Sequence, residues 1–237
     1  QFEMSPVYGY VQMCGTPDAF NELVDVLAAD AANSETYAEI CRRLDIDAYA
    51  NYMAAQMYLG GTDFPQNNVK GFRYRDGGKF RFVMFDLDFA FYANDQGGAF
   101  TAFFNKENYL FDPISPSSSV PRLRDRIRFV TLFKNMLQNA DFRRRFIDAY
   151  CLMGGSVFEK TRATQIVNEL LNRVEPAMNL ETVSNWWGES KGSAANTAND
   201  VKNNLNNRLS SAISDLRKDS RMQLSNVVAQ RVILKSD

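Results

Sequence analysis

Apolar positions near the start of the chain recur every three to four residues, the period that lines one face of a helix. Phe20, Leu23, Val24 and Leu27 share such a face. Thr16-Pro17-Asp18 opens this helix, since a Thr hydroxyl caps free N–H groups and Pro suits the first helical position, and the pattern runs to about Ala32. Ser34 starts a second helix with the stripe Tyr37, Ile40, Cys41 and Leu44. Asp45 or Asp47 caps a third, on which Ile46, Tyr49, Ala50, Met53 and Met57 fall together before Gly60-Gly61 stops it. The period then changes to two. Val69 to Tyr74 and Lys79 to Phe85 read as strands joined by Arg75-Asp76-Gly77-Gly78, a hairpin signal. Phe80, Phe82 and Met84 take one face of the second strand, Arg81, Val83 and Phe85 the other, and Asp86 falls where the strand runs out.

Residues 93–119 are rich in Gly, Asn, Ser and Pro yet contain Phe100, Phe103, Phe104, Tyr109 and Phe111. That many aromatic side chains need cover, so the segment reads as an ordered loop, not a linker. Helical spacing returns from Pro121: Leu123, Ile127, Val130, Leu132 and Phe133 make one helix, Phe142, Phe146, Ile147 and Tyr150 the next, and Val157 to Val174 a third, with the tendency continuing from Asn179 to Trp187. Ser190 to Thr197 is a polar turn, followed by an amphipathic helix carrying Val201, Leu205, Leu209, Ala212, Ile213 and Leu216. Met222, Leu224, Val227, Val228, Val232, Ile233 and Leu234 read as strand material. The expected fold is mainly α with a small β-hairpin: one unit over 1–220 and a strand-like tail over 221–237 that hints at a downstream domain.

Composition narrows the chemistry. The 237 residues include no histidine, which removes Ser-His-Asp and Cys-His nucleophile activation and the usual His-rich zinc sites, so carboxylates must carry acid–base or metal chemistry. The 27 Lys and Arg against 28 Asp and Glu leave a formal charge of −1, with no global field to draw the chain to nucleic acid. Cys14, Cys41 and Cys151 stand far apart, match no CxxC pattern, and read as small buried apolar residues. No apolar run reaches the roughly 18 residues a membrane-spanning helix needs, and no signal peptide is recognisable. A start at Gln1 without a capping or linker segment reads as a chain cut from a longer protein.

One constellation carries chemistry. Asp63, in Gly60-Gly61-Thr62-Asp63-Phe64-Pro65-Gln66-Asn67-Asn68, precedes Asn68 by five residues, and the hairpin then delivers Phe85-Asp86-Leu87-Asp88. An acid, an Asn five residues on and another acid at a strand end is the layout with which protein kinases hold a hydroxyl acceptor and magnesium ions. Two other readings stand beside it. An Asp between Gly-Gly and Pro can be a turn former, and Asp63, Asp86 and Asp88 could serve a two-metal phosphohydrolase with ions about 4 Å apart. Arg122, Arg124, Arg126 and Arg128, with Arg143, Arg144 and Arg145, read as a solvated helical face; Trp186 and Trp187 read as core.

The run Leu44-Asp45-Ile46-Asp47-Ala48-Tyr49-Ala50-Asn51-Tyr52, then Thr62-Asp63, Asn67-Asn68 and the strand Lys79-Phe80-Arg81-Phe82-Val83-Met84-Phe85-Asp86-Leu87-Asp88, resembles the CotH kinase family, secreted kinase-like proteins named after spore-coat protein H. Leu132-Phe133-Lys134-Asn135-Met136-Leu137, Asp141-Phe142-Arg143-Arg144-Arg145-Phe146, Val174-Glu175-Pro176-Ala177-Met178 and Trp186 extend the likeness over roughly residues 35–215. The resemblance implies the larger lobe of an atypical protein kinase, using ATP and Mg2+ to phosphorylate Ser or Thr of a protein substrate, secreted or at the cell surface or periplasm. It implies Asp63 as the catalytic acid–base residue, Asn68 and Asp86 as the magnesium and nucleotide-binding pair, and Asp88 as a further ligand or orienting group.

The chain departs from the family pattern at three places: Asn67-Asn68 where members often have His-Asn, Phe85 where they have Trp, and Phe91-Tyr92-Ala93-Asn94-Asp95 where they have Gly-Arg-Asp. No Gly-x-Gly-x-x-Gly occurs. The family's smaller lobe, with its phosphate-holding lysine, is therefore expected before residue 1, and the isolated chain is expected to be inactive. The alternative is a non-catalytic secreted or cell-surface scaffold that keeps the helical lobe as a binding module.

Overall fold

A helix buried over most of its surface belongs in the middle of a lobe, and α3, Ile46–Leu59, is one, with only Asp47 and Asn51 exposed. Its expected face is buried, and so are Tyr52, Ala54, Gln56, Tyr58 and Leu59. Asp45 caps it by accepting from the Ala48 N–H at 3.1 Å, and Gly60 ends it in the left-handed conformation that costs glycine nothing. Both boundary signals in the sequence are thus the ones the chain uses. The computed structural model describes residues 2–5, 9–12, 15–16, 18–65, 68–91, 98–108, 129–180 and 193–224.

Around α3 lie α1 (Asp18–Ala28), α2 (Ser34–Arg43), α4 (Ala99–Phe104), α5 (Phe129–Met136) and α6 (Ala140–Leu152). α1 stops short of the expected Ala32 because the Asp30 carboxylate accepts from the Ala32 N–H at 2.9 Å, a local turn that competes with the helix. Its orphaned carbonyls are satisfied from elsewhere: the Asn135 amide donates to the carbonyls of Leu27 and Ala29, and Asn139 donates to that of Ala31. Asn139 also caps α6, its Oδ1 accepting from Asp141 and Phe142. Phe100, Phe103 and Phe104 are buried as expected, on a short helix where the sequence reads as loop.

The rings form a continuous core. Tyr49 stacks on Phe142 with centroids 5.7 Å apart and meets Phe82 at 5.3 Å, while Phe133 packs edge-on against Phe103, Phe142 and Phe146. Helices from distant parts of the sequence are held by these contacts, each aromatic pair adding roughly 0.5–1.5 kcal/mol beyond area burial.

The expected hairpin forms as β3 (Val69–Phe72) and β4 (Arg81–Val83), with Lys70 opposite Val83 and Phe72 opposite Arg81. It belongs to a larger sheet. β1 (Phe2–Ser5) and β2 (Gly9–Gln12) form a second hairpin, and β1 pairs with β3, giving the antiparallel order β2-β1-β3-β4. On β4, Phe82 turns towards Tyr49 and Tyr52 while Arg81 and Val83 face solvent, so the predicted alternation holds. The junction of α2 and α3 grips the same strand: Phe80 N–H donates to Arg43 O at 2.7 Å, and Asp45 N–H donates to Phe80 O at 3.0 Å.

The chain divides into two compact units, Gln1–Tyr150 with Ser214–Val228, and Cys151–Ile213 with Ala229–Asp237. In the second, a π-helical turn over Met153–Val157 leads into α7 (Lys160–Leu180); α8 (Ala194–Lys218), which belongs to it up to Ile213, begins earlier than the predicted turn at Ser190 to Thr197 allows. Lys202 reaches from α8 to Asn168 on α7 at 3.0 Å. Met222 lies in a 3-10 turn, Ser220–Met222, where strand was expected; most of that tail, with Trp186, Trp187, Tyr109, Phe111, Cys14 and Arg122 to Arg128, lies outside the described residues. Cys41 and Cys151 are half-buried, less enclosed than expected.

A charged network ties α2, α3 and α6. Asp141 accepts from Tyr37 Oη and from Arg145 Nε, both at 2.8 Å, and Arg145 also reaches Asp47 at 2.6 Å. Arg145, then Tyr37 and Arg144, hold the Asp141 carboxyl down to about 2 against the opposing effect of burial. A carboxyl depressed on folding adds stability above its ordinary value of 3.8, and that stability is lost as pH falls towards about 2. Asp141→Asn is expected to lower stability at neutral pH by on the order of 1 kcal/mol, as partly exposed networks do. Urea denaturation across pH should show the difference from wild type shrinking below the ordinary aspartate range.

Candidate active site

The loop after α3 is positioned by what flanks its acid. Phe64, directly after Asp63, is a buried plug whose ring meets Tyr52, Phe103 and Phe129 at centroid distances of 5.9, 5.8 and 5.7 Å. A side chain this deep in the core fixes the backbone beside it, so the half-buried Asp63 is presented from a rigid base. Thr62 N–H donates to Phe89 O at 3.3 Å and Phe91 N–H to Leu59 O at 2.7 Å, pinning the loop to the segment after β4.

Asn68, Asp86 and Phe91 have φ of 58°, 51° and 71°, the left-handed region that L residues other than Asn and Asp rarely enter. Such conformations cost of order 1–3 kcal/mol and gather at functional sites. At 68 and 86 the residue types soften that cost while supplying oxygen donors.

Asn68 is buried, 5% exposed, and its amide nitrogen donates to Asp63 Oδ2 and to the Asp86 carbonyl oxygen at 3.4 Å. The side chain thus joins the loop to the strand end. Asp86 and Asp88 are exposed and within hydrogen-bonding reach of one another. Burial, then the charges of Asp88 and Asp86, push the Asp63 carboxyl above the usual aspartate range against its own backbone N–H and Lys106. Partial loss of solvent, then the Asp88 carboxyl, lift Asp86 as well, with Lys70 opposing. Lys70, on β3, parks its ammonium 3.2 Å from the centroid of the Phe85 ring.

Lys106 completes the arrangement and was not foreseen. It stands on the 3-10 turn after α4, Asn105–Asn108, is 8% exposed, and donates to the carbonyls of Thr62 and Phe64, the latter at 2.6 Å. Burial pulls its ammonium down to about 8, with the Asp63 carboxylate resisting. Its partners are backbone oxygens, which no spacing of side chains announces.

All four predicted site residues therefore lie in one neighbourhood. Among the described residues no group of three or more His, Cys, Asp or Glu side chains has a metal-holding arrangement. Magnesium does not ask for one, since it takes one or two protein carboxylates and completes its shell with phosphate and water. Carboxyl groups gathered beside a buried Asn amide are a donor set that fits such an ion. Arg143, Arg144 and Arg145 are committed elsewhere: Arg143 donates to the Leu137 carbonyl at 2.8 Å, and the other two pair with Asp141.

A mainly helical lobe with a hairpin that brings an acid loop and a strand-end acid pair together has the form of a kinase-like fold. The chain belongs to the CotH kinase family: the family model described as CotH kinase protein matches residues 14–212, a span that contains Asp63, Asn68, Asp86, Asp88 and Lys106. No curated protein and no solved structure matches the chain significantly.

Because Asp63 is raised on folding, its charge weakens the folded state near neutral pH, and the deficit fades as pH drops through the raised value to the ordinary aspartate range. Asp63→Asn keeps an oxygen for the Asn68 amide and removes that charge. It is expected to melt a few degrees higher than wild type near neutral pH in the absence of divalent metal, with the gap closing as the buffer is acidified. A variant that melts lower throughout would show that the carboxylate is a structural turn former.

Proposed function

We propose that this chain carries the catalytic and metal-holding groups of a secreted or cell-surface, ATP- and Mg2+-dependent protein kinase that acts on Ser or Thr hydroxyls of a protein substrate. The observation that carries this reading is the Asn68 amide linking the Asp63 carboxylate to the Asp86 main chain. Asp63 would accept a hydrogen bond from the incoming hydroxyl and orient it, and a carboxyl raised above its ordinary range is a better proton acceptor than a free aspartate. Asn68 and Asp86 would hold the ion, with Asp88 beside Asp86 as a further ligand or as the group that orients it. When bound, Mg2+ and ATP supply the transferable phosphoryl group and the positive charge that offsets it. The protein's own contribution is positioning and electrostatics: the Phe64 plug, the Asn68 bridge and the gripped strand end fix where those oxygens sit.

The full-length protein, incubated with Mg2+ and γ-labelled ATP, is expected to label itself or a generic protein acceptor. Asp63→Ala should cut transfer by about 10²–10⁴-fold, the usual weight of a general acid–base group, while keeping the rise in melting temperature that Mg2+ and ATP confer. Asp86→Ala should lose that rise. Absence of both transfer and any nucleotide-dependent shift in the full-length protein would leave the scaffold role, and phosphate release without transfer would favour the phosphohydrolase.

A further inference from the structure

Lys106 is the buried ammonium nearest the proposed chemistry, and it is reserved for backbone. It crosses from the turn after α4 to the loop after α3 and donates to the carbonyls on both sides of Asp63. The turn that carries it is anchored in its own right: Glu107 pairs with Lys134 of α5 at 2.7 Å, Phe103 and Phe104 pack on Phe133, and the Arg221 guanidinium lies 3.9 Å from the Phe104 ring centroid. These two carbonyls would otherwise need another donor, since a buried unpaired acceptor costs about what a lost hydrogen bond does.

We propose that Lys106 is a positioning residue for Asp63: it clamps the Thr62 and Phe64 carbonyls so that the loop holds its carboxylate at a single orientation over the strand-end acids. This rests on the phosphoryl-transfer reading for its consequence in rate, though not for its consequence in loop order. A buried ammonium needs acceptors for its N–H groups, and buried carbonyls anywhere in the lobe would supply them. Here the two carbonyls flank the same acid, and an ammonium with three rotatable N–H donors satisfies both where an apolar side chain satisfies neither. The Phe64 plug and the Lys106 clamp act on the loop from the core side, leaving the Asp63 carboxyl to the Asn68 bridge.

The test compares Lys106→Met, of similar length without donors, and Lys106→Arg, which keeps charge and donors, with wild type in the full-length protein. Hydrogen–deuterium exchange of the 60–65 amides is expected to rise at least tenfold in Lys106→Met and to stay near wild type in Lys106→Arg, with α5 and α6 unchanged in both. In steady-state transfer, Lys106→Met should lower kcat roughly 10- to 100-fold, the scale of a misplaced catalytic group, with KM for ATP within twofold. Lys106→Arg should restore most of kcat. Unchanged loop exchange and unchanged kcat in Lys106→Met overturn the proposal, as does equal damage from Met and Arg. Wild-type protein that transfers no phosphate while Lys106→Met still loosens the loop overturns the kinase reading and leaves the clamp standing. Should Lys106→Met not fold, the Lys106→Arg result in exchange and kcat decides.

Discussion

The site depends on one neutral amide placed among acids. Three carboxyl groups brought together repel, and burial, with that repulsion added, holds Asp63 and Asp86 above the ordinary aspartate range. Asn68 answers by donating to the Asp63 carboxylate and to the main chain of Asp86, so that loop and strand end are tied by a group that adds no charge of its own. The rest of the lobe supports that contact. β3 begins directly after Asn68, β4 ends just before Asp86, and their ladder sets the distance between the two. The junction of α2 and α3 holds β4 through Phe80, and Phe64 roots the Asp63 loop in the same aromatic core that packs the helices. Fold and site therefore share residues.

Local signals proved legible and distant ones did not. Asp45, Gly60 and Gly77 act through the backbone next to them, so the boundaries of α3 and the turn between β3 and β4 could be read from the chain directly. The spacing of Asp63, Asn68 and Asp86 was readable for the same reason, because a hairpin brings its own two ends together. Lys106 was not, since its acceptors are carbonyls more than forty residues away and its meaning lies entirely in tertiary structure. β1 and β2 were missed because four-residue strands offer too little alternation to register. Phe100, Phe103 and Phe104 do stand at helical spacing, but the Gly and Pro around them spoke louder than the period. α3 buries more than the one stripe its period announces, because Tyr52, Ala54, Tyr58 and Leu59 are apolar or aromatic as well and are buried with it.

The left-handed residues show why the site resists simplification. At 68 and 86 the backbone excludes most side chains, and glycine would satisfy it at no steric cost. Glycine would also remove the amide bridge at one position and a carboxylate at the other. Alanine would fail both demands. Asn and Asp are the residue types that tolerate this backbone while offering oxygen, so conformation and chemistry select the same small set independently. Lys106 obeys a parallel logic: the carbonyls on both sides of Asp63 point into protein, and a buried donor must satisfy them or the loop must open. The strain, the repulsion and the buried ammonium each carry a cost to the folded state, and they gather around the Asp63 loop and the segment after β4. An arrangement that served folding alone has no need of a buried lysine at 106 or of crowded acids, and their coincidence at one loop and one strand end is the physical basis of the proposed site.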